Sequence, residues 1–169
     1  MKEKKQYDEF YKITGQIIES PEFQNLKRIP HHGNGLYDHS MAVAYYSFVL
    51  AKKMGLDYRS VARGGLLHDF TFEHWKNKRI DTTGIERIKD MHGFKHPKDA
   101  LKYSKMIFYV NDKESDIIVK HMFPLTISPP AHMESWVVSI VDKGIAIEEM
   151  VREHTPRKIY RRYKLGIAS

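Results

Sequence analysis

The sequence predicts an all-α protein, a compact bundle of about six or seven helices rather than a simple four-helix up-down bundle. Three observations predict it. Apolar residues recur at i, i+3, i+4 and i+7 along nearly the whole chain. The runs that contain β-branched residues, such as 136–141, lie inside longer patterns of this kind and do not alternate. The breaks between patterns carry helix stops and starts: Pro21, Gly55, Asp57, Pro97, Asn111 and the segment 124–130.

Taken in order, Tyr7, Phe10, Tyr11, Thr14, Ile17 and Ile18 form one face of a first helix that ends before Pro21. A loop of turn formers follows at 31–35. A second long helix is expected over about 37–54, with Gly55 as its stop. Asp57 caps the next, which runs into His68-Asp69. The segment 70–91 is irregular. Pro97 is expected as the first residue of a helix to about 108, because proline lacks the N–H that a first turn leaves unpaired anyway. Asn111 or Asp112 caps a helix over 113–122, and a long helix covers about 132–152. The tail 155–169 is strongly basic.

The 169 residues suit one domain with a core of ordinary size. There are no cysteines, so disulfides and thiolate metal sites are excluded and any metal must be held by nitrogen and oxygen. That composition, with no signal peptide in the charged start, fits a reducing cytoplasm. No apolar run approaches the roughly 18 residues of a membrane span. The net charge of +7 favours anionic partners, nucleotides or nucleic acid among them.

The chemistry concentrates on dispersed histidines. Gly64-Gly65-Leu66-Leu67-His68-Asp69 ends an apolar helix with an imidazole beside a carboxylate. Alone, such a pair is better explained by a hydrogen-bonded core histidine and a loop aspartate. It is not alone. His39 sits early in the helix expected from 37, His96 precedes Pro97, His121 lies near a helix end, and Asp142 lies inside the last long helix. Ile117, Ile118 and His121 share a face by their spacing, as do Val138, Asp142 and Ile145. A carboxylate on an apolar face is costly to bury unless it is paired or metal-bound. The set suggests convergence on a cation.

The order His39, His68-Asp69, Asp142, with Asp38-His39-Ser40 opening one apolar helix and Gly65-Leu66-Leu67-His68-Asp69 closing the next, resembles the HD-domain phosphohydrolase superfamily over roughly residues 36–145. The resemblance implies an HD-type helical fold and one domain over 1–169, with its metal-binding core at 36–145. It also implies a divalent metal centre that cleaves a phosphoester or phosphoanhydride with metal-activated water. Members with extra histidines between the His-Asp pair and the last aspartate hold two ions, and His96 and His121 occupy those intervals. By resemblance, one ion takes His39, His68, Asp69 and Asp142. The other takes His96 and His121, with Asp69 bridging and central to catalysis. Imidazole and carboxylate ligands suit iron, manganese, zinc or nickel.

Two positions depart from the family pattern. Some dinuclear members carry a second histidine where this chain has Met122, and His92 is a candidate to fill that place if its segment is helical. Phe70-Thr71-Phe72 stands where many members have a phosphate-contacting lysine, which makes Lys143, Lys95, Arg63 and His74 candidates for substrate contact. The implied substrate is a phosphorylated small molecule, a nucleotide above all, with no membrane partner. The alternatives are a nuclease using the basic run 157–164 against a phosphate backbone, or a regulator that binds metal and nucleotide without cleaving.

Overall fold

A computed structural model describes residues 2–31, 34–71 and 92–154, the side chains at 2, 30, 31, 34, 92–95 and 152–154 apart. Among the described residues there are seven α-helices: α1 (Lys2–Ile18), α2 (Pro21–Gln24), α3 (Leu36–Lys53), α4 (Tyr58–Leu67), α5 (His92–Ile107), α6 (Asp112–Lys120) and α7 (Met133–His154). The protein is all-α, as the periodicity predicts. None of these helices is long and apolar enough to cross a membrane.

The punctuation residues act largely as expected. Met54 caps α3 and Gly55 follows with φ of 71°, the left-handed region that favours glycine. The Asp57 carboxylate accepts from the Ser60 N–H at the start of α4. Asn111 and Glu114 form a reciprocal capping box on α6.

Three expectations are corrected. Pro97 lies inside α5, which starts at His92, and is not its first residue. Its ring removes one backbone hydrogen bond near the start of the helix, a loss the remaining turns tolerate. The segment 31–35 is not wholly loop: Pro30 pairs with Gly35 and His31 with Asn34 in a two-residue antiparallel ladder. On α1, Tyr7 and Tyr11 are exposed, and the buried stripe is Phe10, Thr14, Ile17 and Ile18. Their phenol groups favour the boundary with water. Between α1 and α3, Ser20 caps α2 and a 3-10 turn (Asn25–Arg28) follows, placing Phe23 and Leu26 in the core.

Helix α3 is central, packing on α4 and α7, while α6 packs on α4, α5 and α7. The main core joins Phe10, Ile17, Phe23, Leu26, Phe48, Leu66 and Phe70. Edge-on and tilted ring contacts knit it together, Phe10 with Tyr45 at 5.4 Å and with Phe48 at 5.5 Å. A smaller cluster of Val43, Ala51, Val61, Ile117 and Val138 fills the space between α3, α4, α6 and α7.

Two glycines set how closely these helices approach. A Cβ on Gly65 would lie 2.8 Å from Ala44 Cα, and one on Gly64 would lie 2.9 Å from two Ile117 carbons. Helix α4 therefore sits tightly against α3 on one side and α6 on the other. His68 follows one turn later, held between the two neighbours.

Candidate metal centre

The six residues expected from the sequence converge at one place. His39 lies in the first turn of α3, His68 is the C-cap of α4 and Asp69 follows it. His96 is on α5, His121 is the C-cap of α6, and Asp142 is midway along α7. His39, His68 and His121 are all but inaccessible to solvent.

His68 and His121 are placed by the same local device. Each ends its helix in helical backbone geometry, and each Nδ1–H donates to a carbonyl three residues back: His68 to Gly65 at 2.7 Å, His121 to Ile118 at 2.8 Å. Those carbonyls belong to the last turn, which lacks its full set of intrahelical donors. One bond thus serves the helix end and fixes the ring. Because a carbonyl only accepts, Nδ1 carries a hydrogen, and the ring turns its Nε2 into the cluster.

Both Nε2 atoms are buried without a hydrogen bond. They nevertheless face carboxylates. His68 Nε2 is 3.6 Å from Asp69 Oδ2 and 3.5 Å from Asp142 Oδ1, and His121 Nε2 is 3.1 Å from Asp69 Oδ1. Both Nε2 atoms therefore face anionic oxygens outside hydrogen-bond alignment. His96 Nε2 lies 2.9 Å from Asp69 Oδ1, and His39 Nε2 lies 3.1 Å from Asp142 Oδ1.

The electrostatics follow. At Asp69, burial would raise the pKa, but the charges of His68 and His96 and the hydrogen bond from His96 outweigh it, holding the carboxyl well below its usual range. At Asp142, burial is likewise overcome by the hydrogen bond from His39 and the nearby His68, so it too is held low. Burial would discharge His68 and His96, yet the neighbouring carboxylates, Asp69 first, raise both. The site is built to collect positive charge.

The donor atoms fall into two sets, His39–His68–Asp69 and Asp69–His96–His121, the atoms of each lying within 4.8 Å of one another. Asp142 Oδ1 adjoins the first set through His39 and His68. Asp69 belongs to both, with Oδ2 nearest His68 and Oδ1 nearest His96 and His121. Ligands bonded to one ion at about 2.0–2.2 Å stand roughly 3–3.5 Å apart. The cluster spacings suit that range, and the orphaned imidazole nitrogens suit a cation that accepts several lone pairs at once.

The candidate substrate contacts fare differently. The Arg63 guanidinium is engaged by Glu114 at 2.6 Å and by the Tyr109 carbonyl at 2.6 Å. Lys143 Nζ donates to the His121 carbonyl at 2.8 Å and to the Ser139 hydroxyl at 2.7 Å and carbonyl at 3.2 Å. It ties the end of α6 to α7, and burial pushes its pKa down. Each cation thus already has internal acceptors. The backbone at His92 is helical, four residues before His96, while the side chains of His92 and Lys95 lie outside the described residues. So does all of His74, and so do residues 72–91 and the basic tail 155–169.

Sequence reading missed Glu149. It is 5% exposed, and its Oε2 lies 3.0 Å from His39 Nδ1. The signal was available, because Val138, Asp142, Ile145 and Glu149 continue one helical stripe. The cluster thus extends past residue 145.

Fold and site together define a class: a helical bundle with a buried histidine–aspartate cluster able to hold metal. Compared with protein-family models, curated proteins and solved structures, the chain finds no match in any of the three.

Proposed function

We propose that this protein is a metal-dependent phosphohydrolase of the HD type, cleaving a phosphoester or phosphoanhydride in a nucleotide-like substrate. The observation that carries the reading is the pair of buried, tautomer-fixed Nε2 atoms of His68 and His121, aimed at carboxylate oxygens without a hydrogen bond. A proton would need alignment along one N···O line. A cation needs only convergence.

In this reading His39, His68, Asp69 and Asp142 hold one divalent ion, and His96, His121 and Asp69 hold a second. Iron, manganese, zinc and nickel all suit nitrogen and oxygen donors of this kind. When bound, such a pair supplies Lewis acidity toward a phosphoryl oxygen and lowers the pKa of water toward neutrality.

The side chains supply the rest. Histidines ligate as neutral groups, so two carboxylates leave a pair of divalent ions with net positive charge, which favours an anionic phosphoryl group over a neutral substrate. His68 and His121 close the floor of the site to water. His96, whose side chain is 22% exposed, marks the open side from which substrate enters. Asp69, reached by histidines on both sides, holds the two halves in register.

The test is turnover of a nucleotide panel, a generic phosphodiester and a polynucleotide by protein loaded with manganese or iron. The expected result is metal-dependent hydrolysis that Asp69→Ala abolishes together with metal loading, while circular dichroism stays helical. Full activity in that variant would rule the mechanism out. Cleavage restricted to the polynucleotide and suppressed by salt would reassign the protein as a nuclease. A nucleotide that binds and survives would make it a regulator.

A further inference from the structure

Three imidazoles are sunk in the cluster, and their outer nitrogens are anchored differently. His68 and His121 each donate Nδ1–H to a neutral peptide carbonyl of their own helix. His39 instead has Glu149 at Nδ1, 3.0 Å away. Glu149 sits on α7 two turns beyond Asp142, and the two carboxylates bracket one ring, Asp142 at Nε2 and Glu149 at Nδ1. Both lie on the buried face of α7.

The consequence is chemical. An anion accepting the Nδ1 hydrogen holds the ring in one tautomer, with Nε2 turned inward. It also pushes electron density toward Nε2, making that nitrogen a better donor than one backed by a neutral carbonyl. Orientation alone could have come from a carbonyl, as at the other two rings. A buried carboxylate is a more costly group to place there, and what it adds is charge.

We propose that Glu149 is a positioning residue that makes His39 the strongest imidazole donor of the cluster, so that the His39–His68–Asp69 half takes up a cation before the Asp69–His96–His121 half. This rests on the reading that the cluster holds cations. Glu149 acts through His39.

The test is titration of the metal-free full chain with Mn2+, reading the free ion by paramagnetic resonance, for the wild type and Glu149→Gln. Glutamine keeps an acceptor opposite Nδ1 and removes the charge. The expected result is an increase of about 10- to 100-fold in the Kd of the tightest Mn2+ site. Melting of the metal-free proteins is followed alongside. A lower melting temperature with an unchanged tightest Kd makes Glu149 merely structural and overturns the proposal. A loss confined to the weaker site reverses the order of filling and also overturns it. Should the glutamine variant fail to fold, Glu149→Asp withdraws the charge by one methylene. It is expected to weaken the same site, and an unchanged Kd overturns the proposal. A wild-type chain that binds no Mn2+ is a different failure, that of the metal reading itself.

Discussion

The two ends of helix α3 are equally buried and chemically opposite. Near its C-terminal end Phe48 is 0% exposed, in ring contact with Phe10 and Tyr58. In its first turn His39 is 1% exposed, between Asp142 and Glu149. The aromatic end is complete as the chain folds, since the Phe48 ring meets Phe10 and Tyr58 and is shut off from solvent. At the polar end, two imidazole nitrogens a few ångströms away are left without a hydrogen bond. Equal burial therefore does not mean equal completion. One end stabilises the protein by itself, and under the proposed function the other is completed by a bound cation.

That comparison breaks or sharpens under perturbation. The largest expected effect is at the aromatic end. Phe48→Ala should lower unfolding stability by about 3–5 kcal/mol, through lost burial and the cavity left behind. Denaturant titration measures this, and the Mn2+ affinity of the folded fraction should stay at the wild-type value. A matching loss of metal affinity would mean that the two ends are not separable.

A smaller effect is expected at the crossing that joins them. Gly65→Ala drives a methyl group toward the Ala44 backbone, where a Cβ would meet Cα at 2.8 Å. Overpacking of this kind costs about 1–3 kcal/mol. Because His68 follows within one turn, metal affinity should fall too, which distinguishes this variant from Phe48→Ala. A stability loss with unchanged affinity would show that the cluster tolerates displacement of α4.

The gentlest perturbation is pH. In the metal-free protein burial works against charging His39, but the hydrogen bonds its ring donates to Asp142 and Glu149 outweigh it and raise the pKa from 6.5 to about 10. The folded form then holds this proton more tightly than the unfolded chain. Its contribution to stability is fully present below about pH 6.5 and is lost as pH rises through about 10. Metal binding requires the unprotonated nitrogen, so the loaded protein should lack this alkaline decline and should release protons on loading. Melting curves with and without Mn2+ across that range check the point, and parallel declines would contradict it.

Much of the fold was legible because its signals are local. Gly55, Asp57 and Asn111 act where the chain needs a positive φ or a first-turn acceptor, and a few neighbouring residues decide that. Pro97 was misplaced because proline permits a helix start without requiring one. The ladder at 30–35 escaped notice because two paired residues make no periodicity. At the site, the histidines and aspartates stood out as polar groups among apolar neighbours. Glu149 did not, since a glutamate near the end of a helix ordinarily faces water.

The sequence by itself determined the helices, most of their caps and the type of donor atoms, because hydrogen bonds within a few residues and side-chain chemistry control these. Only the tertiary structure decided which donors meet. The Gly64 and Gly65 approaches bring α4 between α3 and α6, and the stripe on α7 delivers Asp142 and Glu149 to opposite sides of one imidazole. Each of those contacts joins residues that no local pattern relates, so packing alone could turn His68-Asp69 from an adjacent pair into the centre of a cluster.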